Sequence, residues 1–325
     1  MTKELIIAKL HFTGPLHLSK GKPNNYEDSD EILRSDTLKS AMYAVGLQIF
    51  GESVVNKQDF LEKFQISSAF PFCGADLFFP KPMIRLPFKS DKGDDDTTFA
   101  KDLKKLKYLN QLGFEAALNA DDSQKIEDIL RRGGEDIFKK VIQQRVSIDA
   151  ETHESVPFYI EKMYFKESAG LYFIIQFEES LKETLKEVIN ALGESGVGTN
   201  KNLGCGTFQF DGFETITLNV PDSTECRWMN LSLYCPNKAE IDDNTEGGVL
   251  SRSDYSLIKR GGWLASPENE EHLTLRKKSI FMFSEGSVFD SKVAPKGKIV
   301  NLRPKEYAHI HDVWRDGTSI FLPVK

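Results

Sequence analysis

The sequence holds no apolar run that approaches the length of a membrane span, no C-x-x-C pair and no excess of basic charge. Each absence excludes something. The start, M-T-K-E-L-I-I-A-K-L-H-F, alternates as a strand does and lacks the continuous apolar core of a signal peptide, so a cytoplasmic protein with no membrane partner is expected. Four scattered cysteines, Cys73, Cys205, Cys226 and Cys235, indicate neither a structural zinc site nor a disulfide framework. No metal and no cofactor is expected. A net charge of −7 argues against a protein that coats nucleic acid over its whole surface, while leaving room for a local basic groove. The motifs G-x-x-x-x-G-K-[ST] and G-x-G-x-x-G are also missing, which disfavours a mononucleotide cradle.

What is present centres on Gly196 to Gly206, G-V-G-T-N-K-N-L-G-C-G. Glycine permits positive φ and removes the Cβ that would hold a ligand off, so the loop is suited to cradle an anion such as phosphate. A glycine-rich connection with no ligand is the equal alternative. In front of it, Ser180 to Leu192 reads as a helix with Leu181, Leu185, Val188 and Leu192 on one face and Ser180/Glu183 as a capping box. Behind it, Thr207 to Phe210 alternate as a strand.

At 325 residues the chain is long enough for two domains. Leu5 to Phe12 reads as a first strand, and the acidic loop around Glu27, Asp28, Asp30 and Glu31 looks exposed. The segment R-S-D-T-L-K-S-A opens a helix, with Ser35 or Asp36 as cap and Leu38, Met42, Val45 and Ile49 as the inward stripe. Its free N–H groups and dipole would favour an anion near Arg34, Ser35, Thr37 and Lys39, while a plain cap of a core helix is the simpler alternative. Phe70 to Leu86 reads as short edge strands or a hairpin. Residues 87 to 144 read as a helical insertion, lysine-rich around Lys101 to Leu112, with a second helical stretch around Gln124 to Gln144. Strands are expected over 158–165 and 170–177. From Thr215 the pattern restarts as a second, mainly β domain, with basic and aromatic residues clustered at Lys259, Arg260 and Trp263 and again at Arg276 to Lys278.

Three blocks carry a family resemblance: "F-T-G-P-L-H-L" with "R-S-D-T-L-K-S-A", the late "G-V-G-T-N-K-N-L-G-C-G-T-F", and "Y-S-L-I-K-R-G-G-W" followed by "R-K-K-S-I-F-M-F-S-E-G-S-V-F". Together they resemble the RAMP superfamily of CRISPR proteins, in the form of the type III-A effector subunit that holds the 5′ end of the guide RNA. The resemblance implies an α+β fold of two RRM-like (ferredoxin-like) domains, 1–213 and 214–325, with the helical insertion in the first. It implies RNA contacts from Ser35, Thr37, Lys39, Gly198, Thr199, Asn200, Lys201 and Asn202. Arg145 is expected at the start of an extended "thumb" hairpin spanning about 147 to 165, and Lys259 and Arg260 add basic contacts from the third block. The implied partners are the 5′ handle of the crRNA, the large polymerase-like subunit and a neighbouring RAMP backbone subunit.

A non-catalytic role is expected. The competing readings are an endoribonuclease that processes guide RNA, using His11 or His17 or a loop aspartate, and a docking subunit that touches no RNA. General acid–base work needs a second group within hydrogen-bond reach, and no Ser-His-Asp order or paired-carboxylate signature emerges.

Overall fold

Alternation along the first strand sets the architecture. In β1 (Thr2–Phe12), Ala8 and Leu10 face one side of a sheet and Leu5 and Ile7 the other, and all four are buried. The computed structural model describes residues 1–20, 27–88, 105–123, 137–149, 151–241, 248–264 and 275–325. β1 pairs antiparallel with β10 (Phe213–Asn219) on one flank and β8 (Ala169–Phe177) on the other; β2 (Phe64–Ile66) and β3 (Phe70–Cys73) then pair with β8. β4 (Asp76–Pro80) and β5 (Tyr108–Asn110) extend that edge, and β9 (Phe208–Gln209) caps the far end of β1.

Two helices lie on one face. α1 (Ser35–Phe50) follows β1 and α3 (Lys182–Ser195) follows β8, giving the βαββαβ path of a ferredoxin-like fold. Leu38, Met42 and Val45 of α1 and Leu185, Val188, Ile189 and Leu192 of α3 meet Leu10, Phe173 and Ile175 of the sheet. Gly46 lets the helices approach, since a Cβ there would already press on Val188. Ile49, expected in the inward stripe, is exposed. The expected Ser180/Glu183 capping box is absent, because a 3₁₀ turn over Glu179–Leu181 leads into α3 without a side-chain cap.

The other face of the sheet is closed as well. Leu5, Ile7, Tyr172 and Ile174 pack with Met229, Leu231, Val288 and Leu322 from the C-terminal part and with Phe114 and Leu118 of α2 (Gln111–Asn119). Burial on both sides explains the continuous L-Y-F-I-I of β8, which does not alternate. Among the described residues the C-terminal part builds three small sheets: β11 (Arg227–Asn230) between β14 (Val288–Phe289) and β17 (Phe321–Val324), β12 (Leu257–Arg260) with β13 (Ile280–Phe283), and β15 (Gly297–Asn301) with β16 (Trp314–Thr318).

The expected boundary at 213/214 falls at a strand of the first sheet, because β10 pairs with β1 over seven residues. The expected second ferredoxin-like domain is not seen among the described residues, where the α-helix of this part, Lys238–Ile241, runs up to residues that are not described. Within the supposed helical insertion, β5 and α2 join the first sheet and its second face, and Phe138 to Gln144 is strand. The remaining helical expectations, including Lys101 and Lys104, lie outside the described residues. The thumb is longer than expected: β6 (Phe138–Ile148) and β7 (Ser155–Phe165) pair over eleven positions, so Arg145 sits far along β6, opposite Phe158. Its Lys, Gln and Val side chains alternate without a buried stripe, a pattern that sequence periodicity reads poorly.

Candidate functional site

The glycine loop is shaped by contacts with a strap, Pro15 to Leu18, that follows β1. The Gly206 amide donates to the Pro15 carbonyl at 2.8 Å and the Thr199 amide to the His17 carbonyl at 3.1 Å. Gly198 and Gly206 both have positive φ, and a Cβ at either would collide with a carbonyl oxygen, that of His17 or of Val197. These two glycines therefore serve close backbone packing first. Asn200 also takes the left-handed conformation, and its carbonyl accepts from Leu203 and Cys205. Most of the loop's amides, those of Val197, Thr199, Leu203, Gly204, Cys205 and Gly206, are spent on internal bonds.

The start of α1 is a buried electrostatic lock. Asp36 is fully buried and accepts two bonds from Arg260, at 2.8 and 2.9 Å, with Arg315 on the same carboxylate. Burial alone would raise its pKa; the two guanidinium groups outweigh that and hold it at about 2. Beside it, burial and the same two arginines press Lys277 down to about 8, with Asp36 opposing. Arg34 pairs with Glu285 at 2.7 Å and Asp30 at 3.4 Å, and Ser68 donates to the other oxygen of Glu285.

This lock corrects two of the expected RNA contacts. Lys39 is 1% exposed, 2.9 Å from Asp316, with its ammonium donating to the Phe64 carbonyl and lying over the Phe64 ring. Ser35 is buried too; its hydroxyl accepts from the Leu233 amide and its own amide donates to Ser68. Both anchor the helix to the interior. Thr37 remains at the surface of the lock, its hydroxyl accepting from Arg260 at 2.8 Å.

Between loop and lock lies a cleft of about 260 Å³. Thr37, Gly198, Thr199, Lys201 and Arg260 line it, so five of the eleven expected site residues converge there. Its floor is apolar, from Leu18, Ile32, Leu33 and Ala41, and Arg34 and Asp30 stand in its wall. Two buried donors nearby, Arg34 Nε and Asn200 Nδ2, have no acceptor among the described residues. Asn202 is exposed on the 3₁₀ turn beside Lys201 but does not line the cleft. Lys259 points away from it, since successive strand residues face opposite sides and Arg260 faces in. Arg34 was expected only beside the anion-favouring helix start and Asp36 only as a cap, because their pairing with Glu285, Arg260 and Arg315 spans more than 220 residues of the chain.

The hairpin is fixed at its base. Leu16 and Met163 exchange backbone bonds of 2.8 Å, Ser29 donates its amide to Glu161, and Lys140 bridges Glu31 and Glu161 at 2.9 and 3.3 Å. The acidic loop is thus partly tied down, with Lys107 on Glu31 as well. His17 is buried, its Nδ1 2.6 Å from the Glu161 carbonyl oxygen, and His11 lies on β1 beside Asp211 at 3.7 Å; neither lines the cleft. Among the described residues no group of three or more His, Cys, Asp or Glu side chains is placed to hold a metal, and no helix is long and apolar enough to cross a membrane.

A sheet of this order with a glycine loop and helix start forming one cleft defines a class. The chain belongs to the RAMP superfamily, whose model matches residues 9–209. The rest of the sequence narrows the branch: residues 223–324 match the model of the CRISPR Csm4 C-terminal domain. The CRISPR system Cms protein Csm4 of Thermococcus onnurineus is 28% identical over 267 residues, covering 79% of this chain and 82% of the relative. Its counterpart in Streptococcus thermophilus is 27% identical over 252 residues, covering 76% and 77%. In structure, a chain of the Csm1-Csm4 cassette in complex with pppApA superposes with a TM-score of 0.64 at 22% identity, over 99% of this chain and 98% of that one. A chain of the Csm3-Csm4 subcomplex of a type III-A CRISPR-Cas interference complex gives 0.61 at 18% identity, over 99% and 100%.

Proposed function

We propose that this chain is a non-catalytic, guide-binding subunit of a type III-A CRISPR effector complex, which holds the repeat-derived 5′ handle of the crRNA in the cleft. The observation that carries this reading is the cleft's chemistry. Arg34 in its wall keeps Nε without an acceptor among the described residues, Lys201 is an exposed cation on its rim, and Thr37 and Thr199 supply hydroxyls. Donor-rich walls over an apolar floor suit a ligand with many acceptors and a flat apolar part, which describes a nucleotide chain. The ribonuclease reading is weaker. Asp30 lines the cleft but is engaged by Arg34 and by the amides of Glu31 and Ile32, and among the described residues no histidine lines the cleft as its partner.

The same chain would join the large polymerase-like subunit to the RAMP backbone, as relatives named for Csm1-Csm4 and Csm3-Csm4 assemblies suggest. The projecting hairpin, with Ile142, Val146, Ile148 and Val156 exposed, is the natural face for the backbone neighbour.

The test is the complex co-expressed with its partner proteins and a CRISPR array. Guides that share one 5′ end are expected to co-purify. Lys201→Ala, a surface change, should lower the slope of log K against log salt by about 0.7 for the one cation removed. A complex that assembles without guide, or a slope unchanged by the substitution, would refute the cleft assignment.

A further inference from the structure

The outer face of the β12–β13 hairpin carries features that the cleft does not use. Residues 255–264 and 275–283, Y-S-L-I-K-R-G-G-W-L and L-R-K-K-S-I-F-M-F, contain five basic residues and no acidic one, in a chain whose net charge is −7. The register places Lys259 opposite Phe281, and the pairing continues through a bridge between Trp263 and Arg276. Phe281 is 64% exposed and Trp263 47%, so Trp263 does not plug an interface within the chain. The Arg276 guanidinium lies 4.5 Å from the centre of the Trp263 ring. Lys259, Arg276 and Lys278 are exposed and make no ion pair among the described residues, unlike Arg260 on the inner face. Lys278 then opens onto a basic hollow of about 290 Å³ lined also by Asn301, Arg303 and Lys305.

Two large exposed rings along one hairpin are costly to leave in water unless something covers them. The cations select the cover. A protein surface rich in carboxylates would satisfy the charges and leave the rings without a flat partner. Single-stranded RNA satisfies both, with bases stacked on the rings and phosphates along the cations.

We propose that this outer face is a second RNA track: Phe281 and Trp263 each stack a base of the guide strand as it leaves the cleft, while Lys259, Arg276 and Lys278 pair with its phosphates. The proposal rests on the reading of the chain as a guide-binding subunit. The two sites lie on opposite faces of β12, Arg260 reaching into the cleft and Lys259 lying outside, and because β12 is an edge of a two-stranded sheet the guide strand passes from one to the other round that edge.

The test uses the assembled complex, loaded with guides carrying a photoreactive uridine at successive positions near the 5′ end. In wild type, one or two positions should cross-link to peptides containing Trp263 or Phe281. Phe281→Ala with Trp263→Ala should abolish those cross-links and weaken guide retention by roughly 5- to 100-fold per stacked base, whereas Phe281→Tyr should keep both. Lys259→Gln with Lys278→Gln should flatten the salt dependence while the cross-links persist. If wild type retains guide but its cross-links avoid this face, and the alanine variants instead lose a protein partner, the face is a protein interface and the proposal fails. If wild type retains no guide at all, the guide-binding reading falls with it.

Discussion

Asp36 shows how one side chain can decide whether a site exists. Its carboxylate holds Arg260 at the cleft and Arg315 behind it, while all three are partly or wholly removed from water. Asp36→Asn leaves two guanidinium groups facing each other without a counter-ion and is expected to cost about 3–5 kcal/mol, read by denaturant unfolding. The pH dependence has a definite sign. An acid whose folded pKa lies below its unfolded value of about 3.9 stabilises the fold fully above that pH and loses the contribution as pH falls towards about 2. Wild type should therefore lose stability steeply between about pH 4 and 2, and the Asn variant should lack that component. The sequence marked this residue as a helix cap only. An acid in the first turn is ordinary, and nothing local announces two arginines arriving from residues 260 and 315.

At the scale of elements, the glycine loop has a clear role that differs from the one its composition first suggests. Its glycines let the strap, the loop and the end of α3 share backbone at close range, and the loop then presents Thr199 and Lys201 to the cleft. Gly206→Ala would drive a Cβ into the Val197 carbonyl at a positive φ, so it should destabilise by more than the ~1 kcal/mol typical of compatible glycine changes. Guide retention should fall with it, measured at a temperature where the variant is still folded.

Periodicity found the first strand and both long helices, since each has an apolar face of regular spacing, and the aromatic, proline-punctuated run from Phe70 marked the β3–β4 hairpin. It missed β16, where Arg315 and Asp316 are both buried, because adjacent charges in a strand read as loop until their partners Asp36 and Lys39 are known. It also misread Ser35 and Lys39, whose polarity signals a surface that the fold turns inward.

For the whole molecule, the shared core is decisive. Leu5, Ile7, Tyr172 and Ile174 are covered by Met229, Leu231 and Leu322, so neither part has a complete interior alone. A fragment ending at residue 213 would lack β10 and bare that face; it is expected to be insoluble, and the full chain to unfold in one calorimetric transition without a separable second peak. Two distinct transitions would show that the parts are independent after all. The covered face also removes the surface on which an ordinary RRM stacks RNA bases, so the recognition proposed above falls to the helix side and to the C-terminal hairpin.

The lock at α1 has a consequence for the order of events during synthesis. Asp36 leaves the ribosome early, whereas its counter-ions at 260 and 315 come much later; at ~5–20 residues per second the growing chain needs roughly 15 to 55 s to bridge the gap. Throughout that interval the carboxylate has no partner and the cleft lacks a wall. If the cleft holds guide RNA as proposed, a nascent chain is blind to it, and loading would begin only once translation of the second half is nearly finished.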